Sequence, residues 1–245
     1  SPAWTSFMTG VNPGKHGVFG FLKPFKDKEY KKNLYTSSDI KAKTIFELLS
    51  EGNKKSIAVN VPMTYPPFKI NGFIVADGLT TPSSNFSFTY PEDLFQQAGM
   101  KKEEYILDVQ WKNYPEDKKE QFFLDLIKCS EKRKELAFKL MNICDWDLLT
   151  IVFSETDWLQ HFCWHYIDHK HLKYNPDETE KFLPLIIRYY QRLDSLIGEF
   201  ISSLDKDTSL IIMSDHGFGQ REKRISFHKL LEEKGLLCYK NPSLF

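Results

Sequence analysis

A chain of 245 residues, 41% hydrophobic and 27% charged, is long enough to bury a sizeable core and too apolar to stay disordered. Its 33 lysines and arginines balance 33 aspartates and glutamates, so no global field draws in nucleic acid or an anionic membrane surface. The longest apolar runs, residues 148–153 and 210–213, are of strand length and fall far short of a membrane span, and no targeting segment is visible. Cys129, Cys144, Cys163 and Cys238 lie apart without paired or metal-type spacing, which suits reduced thiols filling a core in a cytoplasmic protein.

In chain order, residues 2–10 predict a short helix, with proline in the first turn and glycine at the C-terminal cap. Residues 11–17 form a turn-rich loop punctuated by Asn12-Pro13-Gly14. Residues 44–49 predict a helix closed by Gly52, and the β-branched runs 56–61 and 72–75 predict strands. From Pro62 to Trp111 prolines, aromatics and serines dominate with weak periodicity; residues 62–115 are read as a cover insertion within one domain spanning 1–245. Residues 116–142 are amphipathic and predict a long helix. Residues 145–153 are an unalternating apolar run, the pattern of a strand buried on both faces in a parallel sheet. From about Glu178, Phe182, Ile186, Tyr189, Leu193, Leu196 and Phe200 recur at helical spacing. Residues 208–214 predict the next buried strand. Strands alternating with long helices define an α/β fold with a mostly parallel central sheet flanked by helices, which presents ligands at the carboxyl ends of its strands.

Two constellations fall at such ends. In Ser154-Glu-Thr-Asp157-Trp-Leu-Gln-His161 the strand hands over to a helix near Thr156, which puts Asp157 and His161 one turn apart on one face. A carboxylate oxygen and an imidazole nitrogen so placed can bind a divalent ion, zinc being the commonest. The plainer alternative is an aspartate serving the helix dipole beside a partly buried aromatic histidine. In Ser214-Asp215-His216-Gly217 the glycine lets the backbone turn, so that Asp215 and His216 converge on one cation instead of pointing to opposite faces. Its alternative is a polar turn. Two carboxylates and two imidazoles at neighbouring strand ends favour the metal reading.

With Pro2-Ala-Trp-Thr-Ser-Phe-Met-Thr-Gly10 and Pro13-x-x-His16-Gly17 upstream, these motifs resemble the alkaline phosphatase superfamily, and within it the type I phosphodiesterase/nucleotide pyrophosphatase family. The resemblance implies two divalent ions, zinc first and manganese or iron as alternatives. Asp157 and His161 would hold one, with a histidine nearer the C-terminus. Asp215 and His216 would hold the other, with an aspartate from the first strand and the nucleophile. The nucleophile itself would stand immediately before Ser1, so the chain is expected to lack it and to be inactive alone. Thr5, Ser6, Thr9 and His16 match positions that look structural. Phe21 stands where the nucleotide pyrophosphatases have a phosphate-binding asparagine, so nucleotide specificity does not carry over.

The activity implied is hydrolysis of a small phosphate ester, with neither nucleic acid nor membrane as partner. A sulfatase or metal-dependent phosphomutase of the same superfamily, or a catalytically dead binding module, are the competing readings. His165, His169 and His171 are expected to decorate a loop before Asn175-Pro176, and the basic run 23–32 to be a solvated loop.

Overall fold

A computed structural model describes residues 2–23, 33–82, 87–221, 223 and 225–238. It contains a four-stranded sheet of order β3-β2-β1-β4, formed by β1 (Ser56–Val61), β2 (Gly72–Ala76), β3 (Thr89–Tyr90) and β4 (Leu148–Ile151). β1 runs parallel to both β2 and β4, and only β3 is antiparallel. The helices are α1 (Pro2–Thr9), α2 (Pro13–His16), α3 (Ile45–Glu51), α4 (Leu94–Gln97), α5 (Lys119–Ile143), α6 (Glu155–Ile167), α7 (Pro176–Ser203) and α8 (Phe227–Glu233). This is the expected mixed α/β architecture, with a mostly parallel sheet between helices.

β1 is buried at every position, as a central parallel strand must be. Ile57 and Val59 face the cluster that contains Leu136 and Leu140 of α5 and Phe200 of α7. Ala58 faces the opposite cluster, with Met8 of α1 and Phe46 of α3. Strict alternation would send Val61 to the α5 side, yet it packs with Ala58, because a register shift between Val59 and Val61 leaves Asn60 in a left-handed conformation, φ 56°. The Tyr105 hydroxyl donates to Asn60 Oδ1, which ties the bulge to the segment before α5.

Local chemistry explains the element ends. α3 opens on a capping box: Thr44 Oγ1 accepts from Glu47 N at 3.3 Å while the Glu47 carboxylate accepts from Thr44 N at 2.8 Å. Asn175 caps α7 by accepting from the amides of Asp177 and Glu178, with Pro176 at the first helical position. Asp147 accepts from Lys54 Nζ at 2.7 Å and Lys55 N at 2.8 Å, pinning the start of β4 beside the start of β1. Within 62–115, Phe88, Leu94, Phe95, Met100 and Tyr105 pack into the same core cluster as β1 and α5.

One expected strand does not form. Among the described residues, 208–214 pair with no strand, and Leu210, Ile211, Ile212 and Met213 are 47%, 80%, 67% and 47% exposed. A β run gains its burial and its hydrogen bonds only from a neighbouring strand, and none of the described strands lies against this one. Cys238 is also exposed, against its expected place in the core, whereas Cys129 and Cys163 are buried. Burial pushes the Cys163 thiol up to about 12, which makes it inert filler. No helix of the described residues is long and apolar enough to cross a membrane.

Candidate metal centre

The strand-to-helix handover falls where the sequence places it. β4 ends at Ile151, and the Ser154 carbonyl then accepts from the amides of Asp157 and Trp158, each at 3.1 Å, to open α6. Asp157 and His161 consequently stand one turn apart, with His161 Nε2 3.5 Å from Asp157 Oδ1. The second motif comes to the same point from beyond α7. His216 Nε2 lies 3.7 Å from that same Asp157 Oδ1 and 3.6 Å from Asp215 Oδ2. The four predicted side chains are thus brought together, meeting pairwise in the order His161, Asp157, His216, Asp215. Among the described residues no group of three or more His, Cys, Asp or Glu is disposed to close around a single ion.

Three features of the cluster fit a divalent cation. Asp157 Oδ1 is shielded from solvent yet has no hydrogen-bond partner, although the side chain as a whole is 39% exposed. An orphaned anionic oxygen facing two imidazole nitrogens is a costly arrangement unless something positive satisfies it. His216 Nδ1 lies 2.9 Å from the Gly217 carbonyl, which can only accept, so Nδ1 donates and the ring is oriented with Nε2 towards Asp157. The 3.5 Å between His161 and Asp157 and the 3.6 Å between His216 and Asp215 also lie close to the ~3.4 Å between neighbouring donors around tetrahedral zinc with ~2.1 Å bonds.

Two groups that the sequence reading overlooked frame this cluster. The Phe218 ring packs edge-on to His161 at 4.8 Å between centroids, with Trp164 at 5.7 Å and His216 at 6.1 Å, so one phenyl group joins the two motifs. Behind α6, Arg133 of α5 and Glu155 form a fully buried ion pair at 2.9 Å. Burial opposes the charge on Arg133, but the Glu155 carboxylate together with the nearby Cys129, Tyr105 and Tyr189 outweighs it and holds the guanidinium above its ordinary pKa. The signal was present in the sequence: Phe122, Leu126, Cys129, Arg133, Leu136 and Leu140 form one buried stripe of α5, and an arginine on an apolar stripe needs a buried partner.

The remaining histidines and hydroxyls have other surroundings. His16 is wholly buried; its Nδ1 accepts from Val18 N at 3.1 Å, so Nε2 carries the proton and donates to Ser6 Oγ at 3.0 Å. Burial lowers its pKa. Thr9 Oγ1 donates to the Thr5 carbonyl at 2.7 Å within α1. His165 differs from its expected place in a loop: it lies in the last turn of α6, its ring 3.9 Å from that of Tyr166 and 5.9 Å from that of His171. His169 and His171 do sit in the turns that follow. Lys23 pairs with Asp39 at 2.6 Å, and the rest of the basic run, 24–32, lies outside the described residues. Phe21 is 49% exposed.

A mostly parallel α/β sheet carries one acid–imidazole pair at the end of β4, and the turn at 214–217 brings a second to the same point. The chain belongs to the type I phosphodiesterase / nucleotide pyrophosphatase family, whose sequence model matches residues 1–243. That places it among the phosphodiesterase and pyrophosphatase-type hydrolases of the alkaline phosphatase superfamily. No curated protein and no solved structure matches it.

Proposed function

We propose that the His161–Asp157–His216–Asp215 cluster is the protein's share of a two-ion centre that hydrolyses small phosphate esters. Asp157 with His161 would hold one ion, and Asp215 with His216 the other. Zinc suits this nitrogen and oxygen donor set, with manganese or iron as alternatives. The observation that carries the reading is the orphaned Asp157 Oδ1 flanked by His161 Nε2 and His216 Nε2.

Paired divalent ions supply charge neutralisation at phosphorus and acidify the attacking hydroxyl. The chain's own contribution is orientation. The first turn of α6 sets Asp157, the bond to the Gly217 carbonyl sets the His216 ring, and Phe218 holds both imidazoles against a common apolar wall. Which ester is cleaved is left open by Phe21, which offers no side-chain donor to a phosphate oxygen.

Four donor groups are fewer than the roughly six or seven that two such ions take. Weak zinc binding is therefore expected of this cluster. Zinc titration followed by calorimetry tests the reading. Binding that weakens by at least tenfold in both Asp157→Ala and Asp215→Ala supports it; binding unaffected by either substitution sinks it.

A further inference from the structure

The Arg133 and Glu155 side chains are 1% and 0% exposed, and one guanidinium does more than neutralise its partner. Nη1 donates both to Glu155 Oε2 at 2.9 Å and to the Val152 carbonyl at 2.8 Å. Nη2 donates to the Leu107 carbonyl at 3.3 Å, and the guanidinium carbon stands 5.3 Å from the centre of the Trp158 ring. A single planar fork therefore holds the residue after β4, the first residue of α6, the neighbour of Asp157 and the segment before α5.

Stability is a poor explanation for this pair. Well-packed apolar side chains of similar volume commonly match or exceed a buried ion pair, because both charges must leave water. The satisfaction is also incomplete: Arg133 Nε and Glu155 Oε1 are buried without hydrogen-bond partners. What a fork provides and apolar packing does not is direction. Its bonds fix the path of the chain through 152–155, and Asp157 follows two residues later in the same turn.

We infer that the Arg133–Glu155 pair is a positioning device for Asp157, fixing the passage from β4 to α6 so that Oδ1 faces His161 and His216. Its effect on zinc rests on the function proposed above, whereas its effect on the α6 turn does not.

The test replaces both charges together, Arg133→Met/Glu155→Met, so that no unpaired charge is left buried. The double variant is expected to unfold cooperatively near the wild-type temperature. Its amides at 154–158 should exchange faster with solvent, those of the middle of α7 should not change, and zinc affinity should fall 10–100-fold, the range typical of residues that orient a ligand from behind. Arg133→Lys, which keeps the charge but loses the fork, should shift exchange and affinity in the same direction and serves if the double variant does not fold. Unchanged exchange at 154–158 in a folded variant overturns the inference. If wild-type zinc binding proves insensitive to Asp157→Ala, the metal reading falls instead, and the exchange measurement still decides the positioning.

Discussion

His16 illustrates how one buried side chain ties sequence to stability. Both of its ring nitrogens are engaged in the neutral form, Nδ1 by the Val18 amide and Nε2 by Ser6 of α1, so a second ring proton would displace the Val18 amide. Its folded pKa is lowered, so between that value and the ordinary ~6.5 the unfolded chain binds the proton and the folded chain does not. Its contribution is thus intact at higher pH and is lost as pH falls below about 6.5. Urea unfolding at pH 7.5, 6.5 and 5.5 should show a decline that is shallower in His16→Asn; an identical pH slope in the variant would remove His16 as the cause. The same scale governs the candidate centre, where the decisive feature is a single carboxylate oxygen without a donor.

At the scale of elements, local signals and tertiary demands carry separable weight. The capping box of α3 is local: Thr44→Ala removes one of its two reciprocal acceptors and should cost about 1 kcal/mol, read as a lower denaturation midpoint at unchanged m. A change below a few tenths of a kcal/mol would mean that packing of Phe46 alone holds the helix. α7 is likewise legible, since Phe182, Ile186, Tyr189, Leu196 and Phe200 are all buried and only Leu193 of the predicted stripe remains part-exposed. α5 carried a stripe as well, but its polar member, Arg133, has a meaning only once α6 packs against it and supplies Glu155. β4 is four residues long where the apolar run suggested nine, because pairing with Ser56–Val59 of β1, not hydrophobicity, sets its limits.

For the whole molecule, the consequential feature is the exposed apolar run 210–213. Unpaired β-prone segments with this composition are templates for association between chains. Ile211→Lys/Ile212→Lys should lower self-association in light scattering at raised protein concentration and leave thermal stability nearly unchanged, because neither side chain has a core to lose. A large loss of stability instead would show that the run is buried in solution. The double substitution lies two residues from Ser214 and leaves the backbone of the Asp215–His216 turn untouched, so zinc titration of this variant also separates aggregation from binding.

The residues by themselves determined the fold class, the bounds of β1, the α7 stripe and the four side chains of the candidate centre, because hydrophobic period, caps and strand-end motifs are all short-range properties. Tertiary structure alone decided that Asp157 and His216, 59 positions apart, face each other at 3.7 Å, that an Asn60 bulge turns Val61 to the other face, and that Arg133 clamps the turn before Asp157. It also decided that residues 208–214 form no strand, since pairing requires a neighbour and sequence pattern records only the wish for one.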